Sequence, residues 1–163
     1  MGSVAENVIR HVETPVFVVR QKQHEFIDQA NLEAPLRMKT ILCPVNFTST
    51  ANQALKIAAS IAARFQAKLI PVCVVEPGSP MQPSDMNDKL NEWIQKDKPV
   101  SYSMDLVIRQ GHPVEQILSL ADQTHADLIV LEAQRADEQA IWPWGNTTEL
   151  VLRQAPGPVL VIS

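Results

Sequence analysis

Four unbroken apolar runs dominate the pattern of this chain: ILCPV at 41–45, LIPVCVV at 69–75, LIVL at 128–131 and PVLVI at 158–162. A strand with one wet face alternates polar and apolar residues, whereas a strand covered on both faces does not. These runs therefore predict strands at the centre of a sheet with helices on either side. All are far short of the roughly 20 apolar residues that a membrane-spanning helix needs. The stretches between them have helical length and pattern. Strands that alternate with helices imply right-handed parallel crossovers and a doubly wound α/β sheet.

The helical segments carry their own signals. ANQALKIAASIAARFQ places Leu55, Ala58, Ala59, Ala62 and Phe65 on one face, and its alanines allow close approach to a sheet. Thr50 and Gln53 before it have the spacing of a capping box. A surface helix is expected over 84–98, with Met86, Leu90, Trp93 and Asp97 on one stripe and Ile94 beside it. SYSMDLVI alternates, with Tyr102, Met104, Leu106 and Ile108 on one side, and is expected as a strand at the sheet edge. Gly111 and Pro113 break the chain before a helix striped by Val114, Ile117, Leu118 and Ala121.

The chain also repeats itself. Residues 2–19, GSVAENVIRHVETPVFVV, align without gaps on residues 145–162, GNTTELVLRQAPGPVLVI. Seven positions are identical, where chance gives about one. Each copy predicts a helix entered by a capping box, Ser3 to Glu6 or Asn146 to Glu149, and then a short strand after a proline. The chain thus opens with a second version of its own ending. The expected organisation is a helix–strand remnant of a preceding domain at 1–20, a polar, Gln-rich linker at 21–37 and one domain at 38–163.

Composition removes several functions. With 45% hydrophobic and 20% charged residues the chain can build a core, and a chain of this size needs no disulfide or metal staple. The net charge of −4 argues against a nucleic-acid partner, because that affinity comes mainly from phosphate neutralisation. The polar start MGSVAENVIRHVE lacks the apolar core of a signal peptide, so the expected location is cytoplasmic, with no membrane contact. Cys43 and Cys73 lie inside strand runs and are expected as free, buried thiols in a reducing compartment. Two cysteines and four scattered histidines do not make a zinc site, and no metal is expected.

In a doubly wound sheet a ligand binds outside the carboxyl ends of the strands, where the strand order reverses. Three loops qualify: PVNFTST, EPGSP and the long EAQRADEQAIWPWGN, which ends at a helix N-terminus. Unpaired backbone N–H groups and the macrodipole make such a terminus a place for phosphate.

MKTILCPVNFTSTANQAL, IRQGHPVEQILSLADQTHADLIVLEA and GNTTELVLRQAPGPVLVI, in that order, resemble a universal stress protein (UspA-like) domain over residues 38–163, and residues 2–19 resemble the end of another. The chain looks like the second half of a tandem universal stress protein. That resemblance implies an adenine nucleotide alpha hydrolase-like fold with a five-stranded parallel sheet in the order 3-2-1-4-5. It also implies dimerisation through the last strand and, in one branch of the family, bound ATP. The ATP-binding branch carries Gly, two residues, Gly, nine residues, then Gly followed by Ser or Thr. Here those positions hold Glu132, Arg135, Gly145 and Asn146, so only the last glycine remains. Glu and Arg take positive φ poorly, and a carboxylate at 132 repels a triphosphate unless a metal intervenes. Asn46 stands where the family usually has an acidic residue near the adenine and ribose.

The expectation is therefore a non-enzymatic stress-response or regulatory module with a degenerate ATP loop. It holds no cofactor and acts through a homodimer, or a domain-swapped dimer, and an unidentified protein partner. The alternative is an adenine-nucleotide binding domain, with Arg135, Gly145, Asn146 and Thr147 around the phosphates, Pro44, Asn46 and Val74 around the base, and Glu132 at the modified loop. A third reading is a small-ligand sensor with a reshaped pocket. Trp142 and Trp144 are expected to pack before the Gly145 step, or to roof the pocket; His112 has no nucleophile grouped with it for catalysis. The remnant strand at Val16 to Val19 is expected antiparallel beside Val159 to Ile162, within one chain or exchanged between two.

Overall fold

The computed structural model describes residues 14–19, 37–46, 51–79, 84, 88, 91–92, 102–133 and 145–162. Along the chain these form β1 (Val16–Val18), β2 (Thr40–Pro44), α1 (Ala51–Phe65), β3 (Lys68–Val75), β4 (Val107–Gln110), α2 (Pro113–Gln123), β5 (Leu128–Glu132), α3 (Gly145–Gln154) and β6 (Val159–Ile162). The six strands make one sheet in the order β1-β6-β5-β2-β3-β4. Without β1, and numbered within the domain from the other edge, the order is 3-2-1-4-5. All pairs among those five strands are parallel. The added strand β1 is antiparallel to β6, with Val16 opposite Val161, Phe17 opposite Leu160 and Val18 opposite Val159. That is the expected antiparallel pairing, over Val16–Val18 and Val159–Val161.

The unalternated strands are buried on both sides. Ile41, Cys43, Leu69, Cys73, Leu128, Val130 and Ile162 join one cluster with the alanines of α1. Leu42, Val72, Ile129, Leu131, Val159 and Val161 join the other with residues of α2 and α3. On α1 the innermost row is Ala54, Ala58 and Ala62, each fully buried, with Ala59 beside them, while Leu55 and Phe65 flank it half-buried. A row of methyl groups lets the helix lie close on the sheet, and the larger side chains fill its margins.

Two helix ends differ from the usual glycine stop. Gln66 and His125 have φ of 53° and 48°. In each case the next N–H reaches back to the last turn, Ala67 to the Ala62 carbonyl at 2.9 Å and Ala126 to the Ala121 carbonyl at 2.9 Å. These are Schellman closures with a non-glycine residue in the left-handed position.

The edge strand is shorter than its alternation suggests. Tyr102, Met104, Leu106 and Ile108 do pack together on the α1 side, but β4 starts only at Val107, after an isolated bridge between Leu69 and Met104. The Leu69 N–H donates to the Ser103 carbonyl and the Asp105 N–H to the Leu69 carbonyl. The next donor in that row belongs to residue 71 of β3, which is proline and has no N–H, so the ladder lapses until Val72 meets Val107.

Of the expected surface helix over 84–98, Ser84, Asp88, Asn91 and Glu92 are helical and exposed; Met86, Leu90, Trp93, Ile94 and Asp97 lie outside the described residues. So do the helix proposed within residues 2–19, residues 21–36 of the linker expected at 21–37, and Thr50. The second capping box is not formed as expected. Helix α3 starts at Gly145, which puts Asn146 inside the first turn, and the Glu149 carboxylate accepts from Arg153 Nε at 2.9 Å one turn on. Among the described residues no helix is long and apolar enough to cross a membrane.

Candidate functional site

The order of the sheet turns between β2 and β5, since α1 carries the chain to one side and the later crossover to the other. At the carboxyl ends of these strands a cleft of about 310 Å³ opens, lined by strand, loop and helix residues. Its volume is at the lower end for small-molecule pockets. Strand β2 and its exit supply Pro44 and Asn46, β3 supplies Val74, β5 ends in Glu132, and the first turn of α3 supplies Gly145, Asn146 and Thr147. Seven of the eight residues singled out from the sequence therefore converge on one cleft. The eighth, Arg135, lies outside the described residues, as do Trp142 and Trp144.

The walls include residues that the sequence reading left out: Val72, Leu131, Ile117 and Pro113 as the apolar side, Glu76 at the end of β3, and Thr148. Thr148 is buried, and its hydroxyl donates to the Glu132 carbonyl at 3.2 Å. This bond ties the first turn of α3 to the end of β5 where the cleft closes. A stripe of Thr148, Val151 and Leu152 at helical spacing was the signal for it. The helix itself enters through Gly145 at φ 71°, a conformation that glycine adopts without strain.

Glu132 has a different setting from the one its spacing suggests. It is still strand, facing Ile162, and the ladder continues to an Ala133 N–H bond with the Ile162 carbonyl at 2.7 Å. Alternation places its side chain with Leu128 and Val130 on the α1 side. There its charge adds to burial in pushing the Cys43 thiol well above its ordinary range. The residue also lines the border of the cleft. Glu76 instead continues the row of Val72 and Val74, on the cleft side, and is exposed.

Cys43 and Cys73 are buried on neighbouring strands with no disulfide between them, and burial raises both thiols. His112 sits just before α2 with no cap made by its side chain. Among the described residues no group of three or more His, Cys, Asp or Glu could hold a metal ion. Among the described residues that line the cleft there are two carboxylates and no lysine, arginine or histidine.

Comparison with known proteins gives one answer. The model of the Universal stress protein family matches residues 38–163. Among solved structures, the universal stress protein UspA from Lactobacillus plantarum is 27% identical, with a TM-score of 0.65, over 78% of this chain and 99% of that one. A universal stress protein from Archaeoglobus fulgidus DSM 4304 superposes on all of this chain with a TM-score of 0.74 at 23% identity, and this chain spans 54% of its length. A universal stress protein solved in complex with cAMP is 24% identical, with a TM-score of 0.63, over 77% of this chain and 97% of that one. No curated protein gives a significant match.

Proposed function

The chain belongs to the universal stress protein family, and we propose that it is a non-enzymatic regulatory domain of that family whose cleft no longer holds a nucleoside triphosphate. The observation that carries this reading is that Glu132 and Arg135 stand where the ATP-binding branch has its first two glycines, with Glu132 strand-paired at the border of the cleft and Glu76 on its face. Phosphate held at a helix N-terminus gains only part of its stabilisation from backbone N–H groups. Two unit charges of one sign within several Å repel by a few kcal/mol at an effective dielectric near 20. A strand-paired Glu132 also puts a side chain and an extended backbone where a nucleotide loop uses the freedom of glycine.

A regulatory domain of this kind works by contact. Its interaction surface lies on the β6 side of the sheet, where β1 is the outermost strand, and the expected setting is the cytoplasm, with a second universal stress domain and a further protein as partners. In this reading the domain at 38–163, with the strand before it, is the second half of a tandem protein.

One observation favours the second reading, an adenine-nucleotide binding domain. The cleft persists, and Gly145 to Thr148 still present a helix N-terminus to it, while a relative was solved with cAMP. Titration calorimetry of the full chain with ATP, ADP and AMP in the presence of Mg²⁺ separates the two. The leading reading expects no heat beyond dilution with ATP. Micromolar affinity for Mg-ATP overturns it in favour of the second.

A further inference from the structure

Of the three loops at the strand ends, EPGSP after β3 is the shortest, and it fixes a carboxylate at the cleft. The Ser79 N–H donates to the Glu76 carbonyl at 3.1 Å, with Pro77 and Gly78 between them and Gly78 at φ 83°. Proline followed by a residue of positive φ makes this a type II turn, with Glu76 as its first residue. On the other side, the Val75 carbonyl accepts from the Gly111 N–H at 3.0 Å. The backbone is thus held on both sides of Glu76, whose side chain lines the cleft. Among the described residues no partner holds its carboxylate. A carboxylate only accepts, and an ammonium group is the donor that meets its charge as well.

The cleft has a different character at its far end. Strands β3 and β5 flank β2, so their ends lie two strand spacings, about 10 Å, apart. Helix α3 opens beside the end of β5, where Thr148 donates to the Glu132 carbonyl. N–H groups in the first turn of a helix have no helical acceptor, and the macrodipole adds partial positive charge there. This end therefore offers donors and repels a cation. Glu132 borders it and repels an anion. An uncharged oxygen suits both conditions. Between the two ends the wall is apolar, with Val72, Ile117 and Leu131 in one cluster and Val74 packed on it.

We propose that the cleft takes a small, elongated organic ammonium compound: the ammonium pairs with Glu76, an apolar body lies along Val72, Val74, Ile117 and Leu131, and an uncharged oxygen accepts from the first turn of α3. The inference rests on the reading that the cleft holds no nucleoside triphosphate, and it names the chemistry that the same cleft favours instead.

The test titrates ε-aminocaproamide into the full chain and follows the backbone amide signals by NMR. Caproamide, which lacks only the ammonium, caproate and Mg-ATP are titrated beside it, into the wild type and into Glu76→Gln. Signals of the Glu76 turn and of Asn146 to Thr148 should move together with ε-aminocaproamide. It should bind at least about threefold more tightly than caproamide, as a partly solvated ion pair allows, and caproate should bind least. In Glu76→Gln the advantage of the amine over caproamide should vanish. Equal binding of the two amides by the wild type overturns the proposal. So does an advantage that survives Glu76→Gln, an absence of saturable binding by the amine, or shifts confined to the Glu76 turn. The Mg-ATP titration keeps the two failures apart: micromolar binding removes the reading beneath and this inference with it, whereas no ATP binding and no preference for the amine refutes this inference alone.

Discussion

Asp127 closes the end of the sheet opposite the cleft, and its removal has a calculable cost. One carboxylate oxygen accepts the backbone N–H groups of Lys39 at 2.7 Å and Thr40 at 2.9 Å, while the Asp127 N–H donates to the Thr40 carbonyl at 2.9 Å. These bonds hold the entry of β2 against the entry of β5, next to the Ile41–Leu128 pair. A hydrogen bond to a charged group contributes about 1.5–3 kcal/mol net. At Lys39, which is exposed, water substitutes for much of that. At Thr40, half-buried, it does not. Asp127→Ala should therefore cost about 2–3 kcal/mol, or roughly 4–12 °C in melting temperature for a chain of this size. Asp127→Asn keeps one oxygen acceptor without the charge and should cost about 1 kcal/mol. Urea unfolding at neutral pH, with m compared among the three proteins, measures both. An Asp127→Ala variant within about 0.5 kcal/mol of wild type at unchanged m would refute the clamp. An Asp127→Asn variant as damaged as the alanine would refute the split between oxygen and charge.

Other consequences are simpler to check. Gln66 holds a left-handed conformation at φ 53° at the close of α1, so Gln66→Gly should stabilise the protein by about 0.5–1 kcal/mol; a loss of that size in a urea titration contradicts the Schellman reading. Burial holds the Cys43 and Cys73 thiols above their ordinary range, and thiolate is the reactive form. At pH 8 both should therefore resist an aromatic disulfide reagent in native protein and react fully in guanidinium; rapid native reaction at either site shows it open to solvent.

The strands β2, β3, β5 and β6 were legible because each is an unbroken apolar run, and that pattern comes from burial on both faces. The face of the fourth domain strand was legible too, from the alternation of Tyr102, Met104, Leu106 and Ile108. Its length was not, since the interruption comes from Pro71 on a neighbouring strand, through a donor missing across the ladder. Local signals likewise gave no hint of helix ends closed by Gln66 and His125 in place of glycine. In the cleft, strand ends and the opening of α3 could be named, because the reversal of strand order fixes where a ligand lies. Pro113 and Ile117 could not, because they reach the cleft only through the way α2 docks on the sheet. The direction of Glu132 depended on where β5 ends, one residue of strand deciding which side its charge takes.

The central claim is that the phosphate loop, and not the rest of the cleft, denies this domain a triphosphate. The measurement that tests it most directly is Mg-ATP affinity of the wild-type chain beside a variant carrying Glu132→Gly, Arg135→Gly and Asn146→Ser. Calorimetry should find no micromolar binding to the wild type and a gain of at least about tenfold, or 1.4 kcal/mol, in the variant. Micromolar binding by the wild type, or a folded variant that gains nothing, contradicts the account.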